Sequence, residues 1–145
     1  MVHAEHDDLL TSLRSVPLFA ELSDESLKLV ADHVTEFEAR RGHLLAQPGQ
    51  PGAGLFILLD GRVRVELPIR SVDLGPGEFF GELALLDEAA VHTGRVVSDT
   101  DIRCLALSRN DFDDLLQSEP TIAVIMLKVL ARRLASAIAS PTRPV

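Results

Sequence analysis

The stretch Phe79-Phe80-Gly81-Glu82-Leu83-Ala84-Leu85-Leu86, followed after a polar break by Val91-His92-Thr93-Gly94-Arg95-Val96, decides the fold. Ahead of it Leu74-Gly75-Pro76-Gly77 writes a turn, two glycines around a proline. The stretch reads as an extended segment, a glycine where the backbone needs latitude, then one or two turns of helix. The first amides of such a helix have no partner inside it and point together at whatever lies in front. With the helix dipole behind them they form a small anion site. Glu82 stands beside that site, where a bound anion would repel it. A carboxylate there suits one task, accepting hydrogen bonds from hydroxyls of the same ligand, as the acidic residue of dinucleotide folds does for a ribose.

Upstream, Leu55 to Leu59 is a continuous apolar run, too short for a buried helix and better read as a strand covered on both faces. Asp60-Gly61 then turns the chain. Arg62-Val63-Arg64-Val65-Glu66-Leu67 alternates strictly, one face wet and the other dry. Residues 91 to 97 and 102 to 107 read as further strands. Several short strands at this spacing, with glycines between them, predict a β-sandwich or barrel.

Helices flank these strands. Leu9, Leu10, Leu13 and Val16 predict a short amphipathic helix over residues 7 to 16. Ser23 is a good N-cap for a second helix, with Asp24 and Glu25 in its first turn and Leu22 placed to staple onto Leu27. Its inner face is Leu27, Val30, Ala31 and Val34. Ser108 and Asp111 start another in the manner of a capping box, with Leu107 able to staple onto Phe112. Pro120 fits the first turn of a long last helix over 121 to 139. Ala123, Leu127, Leu130, Leu134 and Ala137 follow a coiled-coil rhythm along it, and Ile122, Ile125, Met126 and Val129 widen the stripe. A stripe that wide predicts two jobs, packing on its own domain and meeting a second copy.

The 145 residues suffice for one domain with a real core. That core is aliphatic, since there is no Trp, no Tyr and six Phe. A net charge of −8 argues against a large nucleic-acid surface, which needs a basic face. The single cysteine, Cys104, makes no internal disulfide, and no apolar run is long enough to span a membrane. A soluble, cytoplasmic setting is expected. The histidines at 3, 6, 33, 43 and 92 contain no His-x-His pair, so the metal centre of a cupin-type roll is not expected. No nucleophile pattern stands out either, and the chain is not read as an enzyme.

The Phe-Gly-Glu-Leu-Ala-Leu-Leu run resembles the phosphate-binding cassette of the cyclic nucleotide-binding domains, shared by the bacterial catabolite activator, cyclic nucleotide-regulated kinases and gated channels. In that family the run is followed by several variable residues, then Arg-Ser/Ala-Ala and a valine. The glycines and prolines of residues 41 to 77 also follow the family's β-roll, so the resemblance covers most of residues 17 to 138. It implies a mainly β fold with flanking helices (α+β): an antiparallel β-roll over about 36–107, a helical segment over 1–16, C-terminal helices over 108–139 and a tail from 141, the domain proper being 17–140. The implied ligand is a cyclic nucleotide, cyclic AMP in preference to cyclic GMP, with no metal. The implied ligand-binding residues are Phe80, Gly81, Glu82, Leu83, Ala84, His92, Thr93 and Gly94. The base lid would comprise Leu134, Ala137 and Ile138 at the end of the last helix.

The second half of the cassette departs from the family. The arginine place falls on His92 and the Ser/Thr place on Thr93. An arginine grips a cyclic phosphate with a charged, two-pronged donor. A histidine offers one donor and is largely neutral at pH 7 when its pKa is the ordinary 6.5 or so. Ala137 and Ile138, in the places where the catabolite activator offers hydroxyls to the base, can cover a purine ring but cannot bond its edge. Arg132-Arg133 resembles the family's double arginine, though basic residues late in a helix also suit its dipole. No helix-turn-helix follows, so DNA binding by this chain alone is not expected. Two readings stand: a sensor that signals through its last helix, or a roll that has lost the nucleotide and serves for dimerisation or docking.

Overall fold

The computed structural model describes residues 2–49, 54–81 and 94–139. The strands are β1 (Thr35–Ala39), β2 (Leu44–Ala46), β3 (Gly54–Asp60), β4 (Val63–Glu66), β5 (Ser71–Leu74), β6 (Phe79–Phe80), β7 (Arg95–Ser98) and β8 (Ile102–Ser108). They form two four-stranded sheets, in the orders β1-β8-β3-β6 and β2-β7-β4-β5, with every pairing antiparallel. This is the β-roll expected from the sequence. Asp60-Gly61 does not close a hairpin, because β3 and β4 belong to different sheets. The pair carries the chain across, with Gly61 at φ 89° and so close to the Asp101 carbonyl that no side chain would fit.

Two cores explain why Leu55 to Leu59 is apolar throughout. Leu55, Ile57 and Leu59 face the helices, together with Leu105, Leu107 and Phe79. Leu58 faces the inside of the roll with Val63, Leu74, Phe80, Val96 and Cys104, and Phe56 packs against them. Successive residues of a strand point to opposite sides, so a strand between two cores must be apolar on both. The six phenylalanines divide evenly. Phe19, Phe79 and Phe112 fill the helical core, whereas Phe37, Phe56 and Phe80 form a ring cluster in the roll. Phe56 stacks on Phe80 at 5.1 Å and meets Phe37 edge-on at 5.9 Å.

Helix α1 spans Val2–Arg14, starting earlier than the apolar spacing suggested and ending before Val16. Val16 is nonetheless buried, in a tight turn where its amide bonds the Leu13 carbonyl. Helix α2 (Asp24–His33) is capped as expected, Ser23 Oγ accepting from the Ser26 amide, with Leu22 and Leu27 both buried. Helix α3 (Arg109–Ser118) is capped in the same way by Ser108, which accepts from the Asp111 amide over buried Leu107 and Phe112. Helix α4 (Pro120–Ile138) has proline in its first turn.

The exposed apolar stripe on α4 keeps Leu127 and Leu134 of the expected seam and replaces its other three members by their next neighbours. Ala123 and Leu130 are half-buried against their own domain, on the side that buries Ile122 and Met126. The apolar residues left outside are Val124, Leu127, Leu134 and Ile138, at 50%, 67%, 62% and 60% exposure, with exposed Ala131 between them. Their spacing of three, four, three and four residues is that of a heptad seam. The stripe was wide enough to hold both faces, and only the packing of α4 on α3 separates them.

Candidate functional site

Of the predicted ligand-binding residues, Phe80, Gly81 and Gly94 are described, and Glu82, Leu83, Ala84, His92 and Thr93 lie outside the described residues. Phe80 and Gly81 stand at one edge of the 82–93 segment and Gly94 at the other. Phe80 ends β6 inside the roll, stacked on Phe56. Gly81 follows with φ 88°, a conformation that L side chains rarely adopt, and a Cβ there would stand 2.5 Å from the Gly54 carbonyl oxygen. At the far edge, a Cβ on Gly94 would stand 2.8 Å from the Glu66 carbonyl oxygen. Both glycines are set by backbone approach, which fixes where the chain leaves one sheet and enters the other.

Arg95, the nearest arginine to His92, is committed elsewhere. Its Nε lies 3.0 Å from Glu66 Oε1, and Glu66 also takes Arg64, which reaches on to Asp99. This chain of charges lies on the outer side of the second sheet, since neighbouring Val96 faces the roll interior.

Helix α4 is tied to the strand that feeds the segment. The Arg133 guanidinium lies 4.4 Å above the Phe79 ring centroid, and its Nη2 donates to the Phe79 carbonyl at 2.6 Å. A cation over a ring face and a charge-assisted hydrogen bond act here on one residue. Arg133 therefore does more than complement the dipole of its helix. Beside this contact is a cavity of about 570 Å³, walled by Leu18, Val72 and Phe79 on one side and by Val129, Arg132 and Ser136 of α4 on the other. The expected lid residues Leu134, Ala137 and Ile138 do not line it; all three are exposed. Ser136, exposed as well, is the α4 hydroxyl at the rim of this cavity, and the sequence reading did not single it out.

Cys104 is fully buried inside the roll, and loss of solvent pushes its thiol up to about 12, partly offset by a hydrogen bond from the Leu105 backbone. It is a packing residue. No helix among the described residues is long and apolar enough to cross a membrane.

The family model for the cyclic nucleotide-binding domain matches residues 36–119, more than half of the chain. The chain belongs to that family. Among curated relatives, the domain is 36% identical over 119 residues to a cyclic nucleotide-gated potassium channel of Mesorhizobium japonicum, covering 82% of this chain and 33% of the channel. It is 33% identical over 134 residues to the cyclic AMP receptor protein of Thermus thermophilus, covering 86% of this chain and 60% of the receptor. The crystal structure of the Thermus thermophilus catabolite activator protein superposes with a TM-score of 0.76 at 31% identity, covering 85% of this chain and 60% of that one. The domain thus spans a third to three fifths of these relatives.

Proposed function

We propose that this domain is a cytoplasmic sensor of a cyclic nucleotide, cyclic AMP in preference to cyclic GMP, which it binds at residues 80–84 and 92–94 and reports through α4. The observation that carries the reading is a family match running across a cassette whose Phe-Gly-Glu-Leu-Ala-Leu-Leu half is intact. Glu82 takes the ribose hydroxyls, the amides after Gly81 take the phosphate, and His92 supplies the weaker grip in place of arginine. Relatives named for cyclic AMP and for cyclic GMP match over 86% and 79% of the chain, so the preference between the two bases rests on the titration below. Signalling follows from the Arg133–Phe79 contact: a nucleotide that pulls on 82–93 changes the seat of α4, and the population of α4 positions shifts.

A thermal-shift titration with cyclic AMP, cyclic GMP and 5′-AMP at pH 6 and pH 7.5 tests this. Ligand at a hundred times its dissociation constant adds about 2.7 kcal/mol, a rise of several degrees for a domain of this size. A cyclic nucleotide is expected to stabilise selectively, and more at pH 6, because a bound phosphate favours the protonated imidazole. No shift at millimolar nucleotide would leave the docking reading in its place.

The exposed Val124, Leu127, Leu134 and Ile138 support a homodimer through α4, a role the roll would keep even without nucleotide. The double variant Leu127→Glu/Leu134→Glu is expected to sediment as a monomer at concentrations where the parent chain is dimeric. Because both side chains are exposed, its melting as a monomer should change little. An unaltered dimer would move the interface off this seam.

A further inference from the structure

His33, Asp111 and Asp114 come together between α2 and α3, with one donor atom from each lying within 4.8 Å of the other two. We propose that these three side chains bind a divalent transition-metal ion of the zinc class.

The donor set and its surroundings both favour an ion. The His33 Nδ1 bonds the Leu29 carbonyl at 2.8 Å, rather than either carboxylate, which leaves Nε2 as the free nitrogen. A metal-bound imidazole is commonly fixed this way, its second nitrogen donating to a backbone carbonyl. Asp111 is held as well, its Oδ2 accepting from the Ser108 hydroxyl at 3.0 Å, so its other oxygen is available. Asp114 follows one turn along the same helix and is exposed, which gives an ion a way in. Two carboxylates on one helix turn repel each other, and a dication between them reverses that sign.

Bonds of about 2.0–2.1 Å in a tetrahedral site set neighbouring donors roughly 3.4 Å apart. An imidazole with two carboxylates suits zinc and its neighbours, whereas calcium and magnesium prefer all-oxygen sets with more ligands. Three protein donors leave the fourth position to water. The ion would join the last turn of α2 to the first turns of α3, and α3 packs on α4.

The test is calorimetric titration of zinc chloride into the untagged chain, stripped with chelator, beside magnesium chloride. One zinc per chain is expected, with micromolar affinity and no response to magnesium. His33→Gln and Asp114→Asn should each weaken binding at least tenfold while melting as the parent does without metal. As a control for the chain's other histidines near the N-terminus, the His3→Gln/His6→Gln variant is titrated too and should bind normally. Cobalt substitution adds a spectral reading, the intense visible bands of a four-coordinate ion, lost in Asp114→Asn. Absence of binding at about 1 mM zinc, or binding that follows His3 and His6 instead of Asp114, would overturn the assignment. Should His33→Gln not fold, the exposed Asp114→Asn decides alone.

Discussion

Phe79→Ala is expected to lower the stability of the fold by about 3–5 kcal/mol, the usual range for removing a buried aromatic ring. Phe79 is almost wholly buried in the helical core and also serves as the platform for Arg133. At roughly 2–4 °C per kcal/mol for a domain near this size, the thermal midpoint should fall by on the order of 10 °C. Two further variants divide the loss. Phe79→Leu keeps an apolar side chain and the main-chain carbonyl but removes the ring under the guanidinium. Arg133→Met keeps the aliphatic stem and removes both the hydrogen bond and the cation. Each should cost about 1–2 kcal/mol, the scale of a half-buried cation–π contact or a charge-assisted hydrogen bond. Their effects should not add, because they break the same contact. Chemical denaturation of the parent, the three variants and the Phe79→Leu/Arg133→Met double variant measures all of this. A Phe79→Ala loss under 1 kcal/mol would mean that α4 is not seated on β6.

The same contact shows where sequence reading stops. Leu107 before Ser108, with Asp111 and Phe112 after it, forms a local pattern, and the helix start follows from it without knowledge of the rest of the chain. Leu55 to Leu59 was readable for a similar reason: apolar residues at consecutive strand positions demand cover on both sides, and two cores supply it. Arg133 carries no such local mark. Its meaning depends on a strand 54 residues away arriving beneath it. His33 is the sharper case: the sequence holds no His-x-His pair, while α2 and α3 bring His33 to two aspartates by packing. The α4 seam lies between these extremes. Periodicity identified the helix and its breadth, but the choice between Ala123–Leu130 and Val124–Ala131 required knowing which face α3 covers.

His92→Arg is expected to tighten cyclic nucleotide binding about tenfold to a hundredfold. The change exchanges one donor for a charged fork on the cyclic phosphate, and a charge-assisted contact is worth roughly 1.5–3 kcal/mol. Two features of the roll favour a site able to receive it. Gly94, two residues on, is pressed against the Glu66 carbonyl, so the chain re-enters the second sheet at one fixed place. Arg95 is engaged by Glu66 and does not compete for the phosphate. The pH profile gives an independent reading: the parent should bind more tightly at pH 6 than at pH 7.5, and the arginine variant equally at both, because a guanidinium stays charged throughout. Glu82→Gln should weaken binding in both backgrounds by a similar factor, since ribose and phosphate are held by different groups. A gain in affinity that abolishes the pH dependence would identify His92 as the phosphate ligand. No detectable binding by either protein, with the fold unchanged, would mean that the pocket no longer accepts a nucleotide, and the exposed seam of α4 would then define what the domain does.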